Sequence, residues 1–540
     1  MRHPSPRHRI LDRSVHAEPM TRAHPPLRPF ARGDVPAPTG PESVAHDRRS
    51  IDEVGVPRAV LMENAGRAAA AVLQRRHPEG RVVGLIGAGN NGGDALVALR
   101  TLLAWGRDVR AIVVAERAPG DPLLHGWPLH SVVDVGFDDA DWASELAAAA
   151  VVVDGILGTG VRGAPRERQA DAIRRINESG RPVLALDVPS GVDATTGAIP
   201  GSAVRAHLTV AFGAPKLGTL LHPARAHTGR LVAVEIAFSP WDAAATRAVV
   251  ATPAWARSRL PRRESDTHKK AVGSVLVAAG GVGMAGASIL AGRAAFRSGA
   301  GLVRVCSAPE NRSAVQSALP EAIYVDASDA AAVGAALEES DAVAAGPGLG
   351  TAVAAIDLLA VLLEGRRCPM VLDADALNLA SAGAVDLRSV ALRRPLLITP
   401  HPGEMARLMG PTDADPAQSA RAAAERFSCT VLLKGAPSMV ASPGGGLLVD
   451  TQPSSDLAVA GMGDALTGVC GSLMAQGLDL ATAAAVGLYC TGRAARLAGR
   501  GAALTPSDVI RWLPDAIGEE GQAVSDLDLP FVTFDADPAS

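Results

Sequence analysis

Cysteine, lysine and aromatic residues are all scarce in this chain of 540 residues, and each scarcity excludes something. The five cysteines (Cys306, Cys368, Cys429, Cys470 and Cys490) are odd in number, scattered, and absent from the first 305 residues. Neither a disulfide framework nor a zinc spacing can be built from them, so they read as small buried hydrophobes in a reducing, cytoplasmic compartment. No apolar run approaches the ~20 residues that span a bilayer, so no membrane partner is expected. A net charge of −4 gives no grip on nucleic acid. Lysine occurs only at Lys216, Lys269, Lys270 and Lys434, and three of these lie in glycine-rich or polar turns, where a compact ammonium can serve phosphate as a point charge.

With 48% hydrophobic and 20% charged residues, the chain reads as an ordinary globular protein too long for one core. Residues 1–40, rich in Pro, Arg and His without periodicity, are expected to be a disordered tail. A first domain is expected over 41–240, a proline- and charge-rich linker over 241–268, a second domain over 269–515, and a disordered acidic tail over 516–540. From Val44 a helix is expected to lead through "IDEVGVPRAVLMENAG". Strands are expected at Val82–Ile86, Val109–Val114, Val151–Val153, Val183–Leu186, Leu208–Phe212 and Leu231–Ile236. A second set is expected at Ser274–Ala278, Leu302–Val305, Ala342–Ala345, Met370–Leu372, Leu396–Ile398 and Val431–Leu433. Several lack polar alternation and most are separated by helical spacers, which implies an α/β fold with doubly wound parallel sheets.

In open α/β sheets ligands gather beyond the carboxyl ends of the strands. "GAGNNGGDA" follows one first-half strand, with Gly87, Gly89 and Gly92 fitting G-x-G-x-x-G and Glu116 at the spacing expected of a ribose ligand. Asn90, Asn91 and Asp94 crowd that loop, however, and a carboxylate there repels a pyrophosphate. "DGILGTGVRGAP", "DVPSGVDATTG" and "FGAPKLGTLLHP" follow three other strands. Asn91, Asp154, Asp187 and Ser190 thus converge on one sheet edge as oxygen donors, which suits a hard cation.

In the second half, "AGMGD" places Gly461, Gly463 and Asp464 before a small-residue helix. Free N–H groups there can hold an anion, and the aspartate can take a hydroxyl proton during phosphoryl transfer. Lys434 follows a strand in "VLLKGAPSMV". His401 and Glu404 follow another in "TPHPGEMARLMG". "DADALN" supplies Asp373, Asp375 and Asn378, and "AAGPGLG" is a further flexible loop.

These motifs carry a resemblance. "LMENAGRAAA", "GNNGGD", "DGILGTGVRGAP" and "LALDVPSGVDATTG", in this order between about Arg48 and Ile236, resemble the Rossmann-like epimerase domain of the NAD(P)H-hydrate repair enzymes. The second half resembles the ribokinase-like, ADP/ATP-dependent NAD(P)H-hydrate dehydratases, starting from the glycine-rich block "HKKAVGSVLVAAGGVGMAGASILAGRAAFRSGAGLV". The resemblance implies that Asn90, Asn91, Gly92, Gly93, Asp94, Gly158, Thr159, Gly160, Val161, Arg162, Gly163 and Asp187 bind the damaged cofactor, with Asp187 as acid/base. It assigns a potassium ion to Asn91, Asp154 and Ser190. Hydrated cofactor in the second site would meet Ala287, Gly348, His401 and Asp464, the last as catalytic base. Lys434, Gly435, Ala436, Pro437, Ser438 and Gly463 would bind ADP or ATP, with magnesium as the phosphate partner. A homo-oligomer is expected. Ala95, Lys270 and the "AGMGD" spelling, including Met462, depart from the family's usual glycines and "GGTGD". Three readings stand beside this one: a vitamin-type small-molecule kinase fused to a nucleotide-binding domain, a scaffold module whose pocket no longer turns over, and an NAD dehydrogenase.

Overall fold

The computed structural model describes residues 34–117, 121–124, 132–133, 139–160, 162–262, 272–411, 415–452, 455–518, 526–527 and 529–538. An eight-stranded and an eleven-stranded sheet organise them, with helices between successive strands.

The smaller sheet runs in the order Val532–Ala536, Arg230–Val234, Leu208–Phe212, Val183–Leu186, Ala149–Gly155, Arg81–Ile86, Val109–Val113, Val132–Val133. All neighbours are parallel except the first pair. Its central strands are buried almost throughout, as a sheet covered on both faces requires. The chain moves from Arg81–Ile86 to one edge and returns at Ala149–Gly155 to build the other half. The crevice therefore opens between these two neighbours. Gly87 ends the first of them, and a β-carbon there would stand 1.9 Å from the Ile156 carbonyl oxygen, so only glycine lets the two strand ends close. The helix Asn90–Ala104 starts immediately afterwards on an N-cap glycine, with no side chain capping its first amides.

In the larger sheet the order is Val35–Pro36, Ala248–Ala251, Leu447–Asp450, Met439–Ala441, Thr430–Leu433, Leu396–Ile398, Met370–Leu372, Ala342–Ala345, Ser274–Ala278, Leu302–Ser307, Ile323–Asp326. Its second crevice lies between Ser274–Ala278 and Ala342–Ala345, where the winding reverses.

Three expected boundaries need correction. The tail assigned to 1–40 contains the strand Val35–Pro36, antiparallel to Ala248–Ala251, and Gly40 opens the helix Gly40–Arg48. The linker assigned to 241–268 contains Ala248–Ala251 and the helix Pro253–Arg257; its last six residues lie outside the described ones. In the acidic tail, Val532–Ala536 pairs with Arg230–Val234, burying Val532 and Phe534. Charge recruits that segment: Arg230 holds Asp526 at 2.6 Å and Asp535 at 2.5 Å. The helix expected from Val44 is two: Gly40–Arg48, which continues as a π-helical turn over Arg49–Glu53, and Arg58–Arg76, with Gly55 and Pro57 between them.

Both units share one hydrophobic cluster. Leu217, Leu220 and Leu221 of the first pack in it with Val35, Ala37, Ala248 and Val250 at the edge of the larger sheet. All five cysteines are buried free thiols.

Candidate active sites

The crevice of the smaller sheet is a cavity of about 460 Å³. Asp187 enters it from the end of Val183–Leu186 with φ +63°, a left-handed conformation that aspartate tolerates better than most residues and that aims the carboxylate across the crevice. Its Oδ1 accepts from the Phe212 amide at 3.1 Å and from the Lys216 ammonium. Its Oδ2 accepts from Thr159 Oγ1 at 3.0 Å. Lys216 is only 2% exposed and also donates to the Phe212 carbonyl at 2.8 Å. Lys216 is thus an internal counter-ion to Asp187.

Two more carboxyl groups line the same cavity. Burial, together with the Asp187 and Asp47 charges, pushes Asp94 well above the usual carboxylate range. Burial raises Asp47 to about 6, with Lys216 opposing and Asp187 adding to the shift. The cavity therefore combines an ion-paired carboxylate with carboxyls biased toward the protonated state, a pairing suited to moving protons in both directions.

Beneath it, Asp154 is fully buried, and desolvation raises it to about 6. Its oxygens accept from Ser190 Oγ at 2.6 Å, the Ser190 amide at 2.8 Å and the Ile156 amide at 3.2 Å. Asn91 Nδ2 donates to the Leu157 carbonyl at 2.7 Å, while Asn91 Oδ1 is buried without a hydrogen-bond partner. An orphaned amide oxygen beside a desolvated carboxylate and a hydroxyl is a donor set that fits a hard cation.

In the larger sheet, Gly461 (φ +85°) caps the helix Met462–Ala475, and Asp464 lies in its first turn. Burial first, then the Asp373 charge, raises the Asp464 carboxyl above its ordinary value. Lys434 donates to Asp373 Oδ1 at 2.7 Å and Thr467 to its other oxygen at 2.7 Å. A cavity of about 520 Å³ opens here, with Lys434, Gly435, Ala436, Ser438, Met462 and Gly463 among its lining residues.

Residues 58–218 match the YjeF-related protein N-terminus family, and residues 275–514 match the NAD(P)H-hydrate dehydratase family. The bifunctional NAD(P)H-hydrate repair enzyme Nnr of Moorella thermoacetica is 38% identical over 506 residues, 87% of this chain and 94% of that protein. Its namesake in Salinibacter ruber is 38% identical over 490 residues, 84% of this chain and 90% of that protein. The chain belongs to the bifunctional NAD(P)H-hydrate repair enzymes. A Bacillus subtilis ADP/ATP-dependent NAD(P)H-hydrate dehydratase, co-crystallised with ATP and Mg2+, is 30% identical with a TM-score of 0.43, covering 48% of this chain and 95% of its own.

In this family member the structure gathers most, not all, of the residues singled out from the sequence. Asn90, Asn91, Asp94, Gly158, Thr159, Gly160 and Asp187 line the first cavity. Gly92 and Gly93 are packed inside the helix against the Gly87 carbonyl and the Met62 side chain. Arg162 lines a neighbouring cavity of about 480 Å³, and Gly163 faces a third, smaller one. Val161 lies outside the described residues, as does Lys270. Glu116 is exposed and lines none of these cavities, so nothing supports a ribose role. Ala95 is a buried helical residue, where a methyl is acceptable.

In the second site His401 caps the helix Pro402–Met409, its Nδ1 accepting from the Gly403 amide at 3.0 Å while Glu404 accepts from the His401 amide at 2.8 Å. It lines the cavity beside Lys434. Ala287 and Gly348 lie side by side outside that lining: a β-carbon on Gly348 would stand 2.9 Å from that of Ala287. Pro437 follows Ala436 without lining the cavity. Among the cavity residues that sequence reasoning does not assign are Lys216, the partner of Asp187, and Asp47. Lysine's rarity was the available signal for the first; nothing in the helix "GPESVAHDR" marks the second.

Proposed function

We propose that the first unit interconverts the two epimers of hydrated NADH and NADPH and that the second removes the added water at the expense of ADP or ATP. The observation that carries the reading is the convergence of Asn91, Asp154, Asp187 and Ser190 on one crevice, which neither a scaffold nor a redox dehydrogenase requires. The epimers differ at the carbon bearing the added hydroxyl. Exchanging them requires the C–O bond to that hydroxyl to break as a proton is delivered to the departing oxygen, leaving the carbon planar, and to re-form on the other face as the proton is taken back; Asp187, held by Lys216 and Thr159, would carry that proton. Asn90, Asp94 and the 158–160 loop would orient the nicotinamide end.

In the second unit the hydroxyl is a poor leaving group. Asp464 takes its proton as the oxygen bonds to the terminal phosphorus and the bond to the departing nucleotide breaks; the ester then loses phosphate from that carbon and a proton from its neighbour, which restores the double bond. Lys434, Gly435, Ala436, Pro437, Ser438 and Gly463 would hold the nucleotide, and Ala287, Gly348 and His401 the hydrated ring. Magnesium would neutralise phosphate charge there. Among the described residues no group of three or more His, Cys, Asp or Glu could hold a metal. Buried free thiols support a cytoplasmic setting, and a homo-oligomer remains part of the proposal. No helix among the described residues is long and apolar enough to cross a membrane.

The deciding experiment mixes the protein with epimer-mixed NADPH hydrate, magnesium, potassium and ADP or ATP, and follows absorbance at 340 nm. Full recovery faster than the spontaneous rate is expected. Nucleotide consumption without that recovery would overturn the dehydratase assignment in favour of a kinase.

Potassium would bind Asn91, Asp154 and Ser190. Without a cation, the raised Asp154 carboxyl keeps a proton between the usual carboxylate value and about 6 that the unfolded chain has lost. Its contribution to stability is therefore present at low pH and fades as pH rises through about 6. A bound cation offsets that loss. Potassium should raise the melting temperature at pH 7.5 and much less at pH 5, and Ser190→Ala should blunt the response. Equal shifts at both pH values would contradict the site.

A further inference from the structure

The loop "FGAPKLGTLLHP" closes the first cavity with Lys216, yet its far end serves a different place. His222, six residues after Lys216, lines the 520 Å³ cavity of the second unit, together with His401, Lys434, Gly435 and Gly463. We infer that the nucleotide site of the dehydratase unit is composite: the epimerase unit completes it with the His222 imidazole. The inference rests on the assignment of that cavity to ADP or ATP.

The segment that carries His222 is fixed from both sides. Lys216 anchors its start on Asp187 and on the Phe212 carbonyl. The Leu217 amide donates to Pro38 O at 2.8 Å, and the Gly218 amide to Ala194 O at 2.9 Å. Leu217, Leu220 and Leu221 are buried in the cluster that includes Val35, Ala37 and Val250, on the edge of the larger sheet. His222 is itself exposed at the end of this buried run, where the cavity opens. A residue that directly follows three buried leucines packed at another unit's sheet edge does not reach that cavity by loop wandering. Partial burial and the Arg225 guanidinium lower its proton affinity, which favours the uncharged ring. An uncharged imidazole presents an apolar face and one N–H, which suits a nucleobase or ribose rather than a phosphate. The rest of the wall is divided in the same sense: Leu457, Val459 and Leu488 form its apolar part and Lys434 supplies the cation.

The composite site also ties the two reactions together physically. Nucleotide contact with His222 restrains the same short segment whose first residue neutralises Asp187.

The test uses the full-length protein with ADP and magnesium. In calorimetry, His222→Ala should weaken ADP binding about 5- to 10-fold. A direct readout on the unaltered chain accompanies it: diethylpyrocarbonate labelling followed by peptide mass spectrometry. ADP should slow modification of His222 at least fivefold and leave His207 unaffected. Affinity unchanged within twofold in the variant, or labelling of His222 indifferent to ADP, overturns the composite site. Lys434→Ala separates this from a wrong nucleotide assignment. If wild type binds no ADP, or Lys434→Ala binds it as wild type does, the cavity assignment itself has failed.

Discussion

Asp187→Asn should abolish epimerisation while leaving dehydration of one epimer at its normal rate. With mixed hydrate, ADP or ATP, magnesium and potassium, absorbance at 340 nm would rise in a fast phase and then creep at the spontaneous rate. The expected loss in the slow phase is ~10²–10⁴-fold, the range for removing a positioned proton-transfer group. Asparagine keeps the shape but cannot take up a proton. It also strips the counter-charge from Lys216, an ammonium at 2% exposure. Breaking a buried pair from one side costs about 3–5 kcal/mol, so the variant should melt at a lower temperature. Combining it with Lys216→Met removes the stranded charge and should recover much of that stability without recovering epimerisation. This divergence separates chemistry from folding. A slow phase of wild-type rate in Asp187→Asn would end the assignment.

The second large effect is expected in the other unit. Asp464→Asn should lower nucleotide-dependent dehydration by ~10²–10⁴-fold, with epimer exchange, followed chromatographically on a single purified epimer, unchanged. ADP affinity should hold, because Asp464 is not among the residues lining the nucleotide cavity. A base must be ionised to act, and burial plus the Asp373 charge raise this carboxyl. Dehydration should therefore decline on acidification at a higher pH than an ordinary carboxylate would dictate. A variant within about threefold of wild type would show that another group takes the proton, and Asp373 would be examined next, despite its engagement by Lys434 and Thr467.

The central parallel strands were legible in the sequence because burial on both faces leaves continuous Val, Ile, Leu and Ala runs. Arg81–Ile86, Val183–Leu186, Leu208–Phe212 and Ala342–Ala345 fall where those runs are. The edge and hairpin strands were not. Met439–Ala441 and Leu447–Asp450 are short and antiparallel, and Val35–Pro36 and Val532–Ala536 lie in stretches whose prolines and charges suggest a solvated tail. They are strands because partners distant in sequence, Ala248–Ala251 and Arg230–Val234, offer them an edge.

The same division runs through the sites. Sequence alone determined the chemistry available at each strand end: oxygen donors at Asn91, Asp154 and Ser190, a carboxylate at Asp187, glycines and Asp464 at a helix start. Those types are set locally, by what a strand-to-helix turn must carry. Tertiary structure alone decided which of them act together. Pairing of Lys216 with Asp187, the entry of Asp47 from the helix Gly40–Arg48, the withdrawal of Gly92 and Gly93 into packing, and the arrival of His222 in the other unit's cavity all depend on distances across the fold. Charge pairing, desolvation and close packing act over a few ångströms of space, and no spacing along the chain records them.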